Sequence, residues 1–285
     1  MTMTYIALLI NVISGLFYKN HKALLWSLVA TNVIGFYLNI TIIEGFFSLV
    51  LLAAMVFLYS NFNPKNKILQ TTLFLGIISM VIGLSSNEIP GFFNSLIIDK
   101  VQLSDLSCSF SMYLHFDKVM AALILYSMTD LHKIEINTPL TTLRQNIKLI
   151  LLSTAGITIA AYAIGYIKFD PKLPNIFLIW MINNFFCVCF AEEVIFRGFI
   201  QRTLGSVLSQ YQKIPYLHII ITSLLFGATH FQGGIRYIFL TSIAGFLYGY
   251  IYHRTNKILV AMIVHFGVNL SHFMLFTYPA PVGMC

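Results

Sequence analysis

The chain has 285 residues, of which 58% are hydrophobic and only 9% charged. A soluble globular domain is about a quarter charged, so too little charge is present to cover a water-facing surface, and a lipid-exposed protein is expected. The formal net charge is +7, but Lys and Arg stand in small groups between apolar runs with no basic patch interleaved with aromatics, which excludes a nucleic-acid partner.

A membrane-spanning helix needs roughly 17 to 25 mostly apolar residues. In chain order the predicted spans are about 3–18, 23–41, 43–60, 69–87, 108–129, 146–167, 174–190, 216–231, 235–252 and 257–277. The expected fold class is all-α, a polytopic transmembrane bundle of about eight to ten helices. Met1 to Phe17 has neither a basic lead-in nor a small-residue cleavage site, so it reads as a retained first helix rather than a removed signal peptide. Asn39 and Glu44 either mark a tight turn or leave one of the two neighbouring spans partial. Breakers separate the others: Asn61 to Lys67, Ser85 to Pro90, Asp130 to Thr142, and the two prolines between Phe169 and Pro174. Regular strands are not expected, because the apolar runs are long and open sheet edges are not tolerated in hydrocarbon.

Cys108, Cys187, Cys189 and Cys285 show no disulfide framework and no zinc-finger spacing, and read as apolar filler. The basic groups Lys19 to Lys22, Lys65 to Lys67 and Arg254 to Lys257 read as loop charges that orient the chain. Lys and Arg occur in loops on both sides, so the positive-inside rule selects no orientation at this level. No internal repeat is visible. The chain divides by chemistry near residue 140. Polar groups inside earlier spans are few and isolated, whereas three later apolar segments carry acidic, basic and imidazole groups.

The first of these segments is Ala191-Glu192-Glu193-Val194-Ile195-Phe196-Arg197-Gly198, which follows an apolar run with no turn signal between. A charged side chain at mid-bilayer costs about 2.5 to 3.5 kcal/mol on insertion scales. Glu193 and Arg197 are four apart on one helical face and can pair. Glu192 is turned about 100° from Glu193 by the helical pitch and is the carboxylate left for another partner. The alternative is a helix that ends near Ala191 with its charges at the water interface. The second segment, Phe226-Gly227-Ala228-Thr229-His230, ends an apolar run and is followed by the turn-permitting Gly233-Gly234. The third is His265-Phe266-Gly267-Val268-Asn269, with His265 and Asn269 on one face and His272 near it. Interhelical hydrogen bonding alone would account for a polar stripe of this kind. Together the three segments hold the parts for activating a water and steadying an oxyanion. The pair Gly245 and Gly249 reads as close helix packing.

Glu192-Glu193-x-x-x-Arg197, Phe226-x-x-x-His230 and His265-x-x-x-Asn269 resemble, in order, the three motifs of the CPBP family (CAAX protease and bacteriocin-processing, also called Abi). That family includes the Ras-converting CAAX endopeptidase. The resemblance covers about residues 145–277, a catalytic helical core. Residues 1–140 form N-terminal membrane helices without a recognisable motif. The resemblance implies an intramembrane endopeptidase that hydrolyses a peptide bond. Glu192 would be the water-activating base with His230 beside it, His265 and Asn269 would bind the oxyanion, and Glu193 with Arg197 would support them. The family is often labelled metalloprotease. Two histidines and a glutamate could make a three-ligand catalytic Zn²⁺ site with one open position. The same groups could act without metal, and the helix-borne asparagine suits an oxyanion better than zinc, which favours the metal-free mechanism.

Two other classes compete. One is a non-catalytic membrane protein of the same fold, a self-immunity or partner-regulating factor, because fold does not fix function. The other is a proton-relay transporter, against which stands the lack of an inverted repeat or matched broken helices. The expected partners are a peptide or membrane-protein substrate and membrane lipid. The expected location is a bacterial inner membrane, crossed several times.

Overall fold

The computed structural model describes residues 2–17, 21–61, 66–129, 131, 140–208 and 216–284. Among them ten α-helices occur with one pair of short strands. Six helical segments are long and apolar enough to cross a membrane. The fold is an all-α polytopic helical assembly. The turn around Pro64 and most of the connection Asp130 to Thr142 lie outside the described residues. Contacts divide the chain into two units. The first is Met1–Ser95, Leu114–Asn137 and Phe186–Gly198, and the second is Leu96–Tyr113, Thr138–Phe185 and Phe199–Cys285.

In the first unit, α1 (Thr2–Phe17), α2 (His21–Tyr37), α3 (Ile43–Asn61) and α4 (Lys67–Ser85) all contact α5 (Phe116–Met128). Apart from Lys118, every residue of α5 from Phe116 to Ser127 is buried. A helix apolar on all sides belongs in a core. The helices around it bury one face and leave Phe47, Leu51 and Leu58 of α3 exposed, as expected of lipid-facing positions. Close approach is allowed where side chains are small. A Cβ on Gly35 would come within 2.9 Å of the Phe116 ring, and one on Gly45 within 2.3 Å of the Gly91 carbonyl oxygen. The connection between α2 and α3 pairs with the segment after α4, through Ile42 N donating to Gly91 O at 3.0 Å and Phe93 N to Ile40 O at 2.8 Å. Polar groups within helices find each other: Asn11 Nδ2 donates to Thr31 Oγ1 at 2.9 Å.

The second unit contains α6 (Leu140–Ala163), both ends of the long helix α7 (Phe177–Leu208), α8 (Leu217–Ala228), α9 (Gly234–Thr255) and α10 (Ile258–Leu275). The strand pair β1 (Ser95–Val101) and β2 (Phe110–Leu114) precedes α5. Helix was expected over 108–129, and strands were not expected at all. The reason for the difference is the period. Phe110 and Met112 are buried while Ser111 and Tyr113 are exposed, the alternation of a strand rather than a helix. This short pair lies outside the candidate spans, so its edges are not subject to the hydrocarbon rule. Its apolar side packs on Trp180 and Phe273, whose rings stack at 4.0 Å. The C-terminal tail returns along the loop between the strands, with Cys108 N donating to Ala280 O at 2.8 Å and Val282 N to Leu106 O at 2.9 Å. Cys108 is disulfide-bonded, which corrects the expectation that all four cysteines are filler; Cys187 and Cys189 are free thiols. The helices α8 and α9 pack tightly through small residues. A Cβ on Gly227 would meet Ser242 Oγ at 1.9 Å, and one on Gly245 would meet the Phe226 ring at 3.1 Å.

Candidate active site

The first motif does not end its helix. α7 runs unbroken for 32 residues through Glu192, Glu193 and Arg197. Two π-helical stretches, Asn184–Cys189 and Val194–Gln201, flank the four residues Phe190–Glu193. Insertions of i→i+5 geometry are rare and concentrate at functional sites. Arg197 Nε donates to Glu193 Oε2 at 3.0 Å, and both side chains are 0% exposed. Desolvating each charge costs several kcal/mol, so such a pair persists only when each member satisfies the other. The expected Glu193–Arg197 pairing is present.

Glu192 points elsewhere, as the pitch requires, and its oxygen Oε1 accepts from Lys118 Nζ at 2.6 Å. The two side chains are 11% and 15% exposed. Lys118 comes from α5 in the same unit. The start of that helix is pinned by Asn94, whose Oδ1 accepts from Phe116 N at 2.8 Å and whose Nδ2 donates to Asp117 Oδ2 at 3.1 Å. Asp117 Oδ1 in turn accepts from the Lys118 backbone N–H at 2.8 Å. Lys118 escaped the sequence reading. Its signal was a charged pair, Asp117-Lys118, at the head of an apolar run, where neither charge has a local partner of opposite sign on the same face.

His230, His265 and Asn269 belong to the second unit. His230 sits just past the end of α8, half-buried, with Nδ1 2.8 Å from the Phe226 carbonyl oxygen. A carbonyl can only accept, so Nδ1 carries the proton and Nε2 is the basic nitrogen. The Phe226 ring lies 4.7 Å from the His230 ring and meets the His265 ring edge-on at 5.9 Å. His265 is buried and stacks on Tyr248 at 4.7 Å. Phe226 thus contacts both imidazoles, and Tyr248 stacks on the face of His265. Asn269 Nδ2 donates to Asn184 Oδ1 at 3.1 Å. Asn184 was also missed, although a buried asparagine within the apolar run Ile176 to Phe190 is a costly group of the same kind as the others. His272 is tied down elsewhere: its Nε2 lies 2.9 Å from the Thr277 carbonyl oxygen, and its ring contacts Tyr278 at 5.0 Å. It anchors the tail.

Among the described residues no group of three or more His, Cys, Asp and Glu side chains is placed to hold a metal ion. No step below is routed through a metal.

Residues 174–271 match the family model described as type II CAAX prenyl endopeptidase Rce1-like. No curated protein and no solved structure matches the chain. The matched span starts just before α7, ends within α10 and contains all seven motif residues. Over residues 174–271 the chain is similar to the Rce1-like CAAX endopeptidase family.

Proposed function

We propose that the protein is an intramembrane endopeptidase in which Glu192 activates a water molecule for attack on a peptide carbonyl. Glu192 takes one proton from the water, with His230 Nε2 assisting, and the hydroxide adds to the carbonyl carbon. The oxyanion that forms accepts hydrogen bonds from an Asn269 amide N–H and a His265 ring N–H. The protonated Glu192 then gives its proton to the departing nitrogen as the C–N bond breaks, and carboxylic acid and amine products leave. Glu193 and Arg197 keep the helix rigid beneath the base. The substrate is a polypeptide that reaches the site from the bilayer.

One observation carries this reading. Three ordered motifs of acidic, imidazole and amide groups fall inside the single matched span, on or just past otherwise apolar helices, and each charged group within a span costs about 2.5 to 3.5 kcal/mol to insert. The test is substrate trapping. Glu192→Ala protein is cross-linked in membranes, the captured polypeptides are identified by mass spectrometry, and their cleavage by the unaltered protein and by the variant is compared. The expected result is cleavage by the unaltered protein only. Equal cleavage by the Glu192→Ala protein removes the mechanism. A polypeptide that is captured but cut by neither protein points instead to a non-catalytic partner-regulating role.

A further inference from the structure

We propose that Lys118 is a positioning residue for Glu192, which gives the first half of the chain a part in the reaction. The inference rests on the protease reading above. Lys118 donates to one carboxylate oxygen, Oε1, at 2.6 Å. A lysine ammonium is a point donor, so it fixes the carboxylate through Oε1 without a bidentate hold on both oxygens. Both side chains are largely withdrawn from solvent, so the contact is not a screened surface pair. The lysine is rigidly based: it projects from a helix that is otherwise buried from Phe116 to Ser127 and whose first turn is tied to Asn94. The ammonium also supplies the charge that lets Glu192 remain a carboxylate away from water.

This role differs from simple ion pairing in a way that can be measured. Arginine would keep the charge but tends to take both carboxylate oxygens with its planar fork. The variants are Lys118→Met, Lys118→Arg, Glu192→Gln and the double variant Lys118→Met with Glu192→Gln, each reconstituted in lipid nanodiscs. Two readouts are taken: thermal unfolding, and steady-state cleavage of a quenched-fluorescent farnesylated CAAX peptide. Lys118→Met is expected to lower Tm, and the double variant to recover most of that loss, because no buried charge is then left alone. Its kcat should fall about 10²-fold with KM nearly unchanged, the cost of misplacing a catalytic group. Lys118→Arg should unfold near the unaltered Tm yet still lose turnover. Full turnover in either Lys118 variant, or strictly additive Tm losses in the double variant, overturns the proposal. Cleavage that persists in Glu192→Gln overturns the protease reading instead, and the Tm cycle still decides the pair.

From a separate observation we infer that the β1–β2 pair and the C-terminal tail face away from the cytoplasm. In the second unit one end gathers the α6–α7 connection, the loop between the strands, the start of α9 and the tail, through the Phe169–Phe276 and Ser107–Pro281 bridges and the stacked rings of Tyr166 and Tyr237. That end mixes signs: Lys100, Lys168, Lys172 and Arg236 with Asp99, Asp105 and Asp170. The opposite end, where Tyr216 and His253 meet, has Arg144, Lys148, Arg202, Arg254 and Lys257 on the adjoining described stretches and no acidic residue among them. The first unit repeats the pattern. The paired connections 38–42 and 86–94 carry no Lys or Arg, while Lys67 opens α4 at its other end.

Basic residues in short loops face the cytoplasm. A disulfide at Cys108, at the end with fewer Lys and Arg, suits an oxidising compartment. The test labels Asp105→Cys and His253→Cys with a membrane-impermeant maleimide in spheroplasts, before and after permeabilisation, against total thiol in denaturant. Asp105→Cys should label in intact spheroplasts and His253→Cys only after permeabilisation. The reverse order, or equal labelling of both positions in intact spheroplasts, overturns the assignment.

Discussion

Asn184 Oδ1 accepts a hydrogen bond from Asn269 Nδ2 at 3.1 Å, joining the start of the motif-bearing helix to the last helix across 85 positions of sequence. An asparagine amide has two N–H groups. If one is spent on Asn184, the direction of the other is settled. Replacing Asn184 by Leu should therefore cost little stability, about 0.6 kcal/mol for an interhelical hydrogen bond, while turnover drops about 10²-fold. Asn184→Asp keeps the acceptor and should restore much of the turnover. Paired unfolding and turnover measurements check this, and a loss of stability without a loss of turnover would contradict it.

Arg197 and Glu193 behave differently, because both are sealed from solvent. Arg197→Met leaves an uncompensated carboxylate and should destabilise the protein by about 3 to 5 kcal/mol. Combining it with Glu193→Leu removes both charges and should recover most of that loss. Denaturant unfolding of the single and double variants reads the coupling.

Gly227 lies where α8 and α9 touch. A Cβ there would meet Ser242 Oγ at 1.9 Å and the Ile238 carbonyl oxygen at 2.7 Å. Gly227→Ala should cost about 1 to 3 kcal/mol by overpacking. Adding Ser242→Ala should relieve part of this but not the clash with backbone. A Gly227→Ala protein with unchanged Tm would show that the helices can separate freely.

His115, at the head of α5, is more than a third exposed, yet burial and then the nearby Lys118 charge push its pKa down to about 4. Asn94 Nδ2 lies 3.3 Å from its Nδ1, which suits a neutral ring that accepts there. A histidine with a lowered folded pKa stabilises the fold above its unfolded value of about 6.5. That contribution is lost as pH falls from there towards 4. Tm should decline over that window, modestly given the exposure, and His115→Gln should flatten the decline. An unchanged slope in the variant would assign the pH dependence to other groups.

Composition and hydrophobic run length were sufficient for the membrane character and for most helix positions, because each helix in lipid must satisfy its own backbone. The i,i+4 relation of Glu193 and Arg197 was equally legible, since helical pitch alone sets it. The strand pair was not, because apolar residues at 108–114 look alike in either period until burial alternates. The continuation of α7 past Glu192 was left open for a related reason: whether a helix carries charges onward depends on partners that are distant in sequence. Those partners were a matter for tertiary structure alone. Lys118 reaches Glu192 across 74 positions, and Asn184 reaches Asn269 across 85. Local pattern determines which face a polar group occupies; only the packing of one helix on another determines what meets it there.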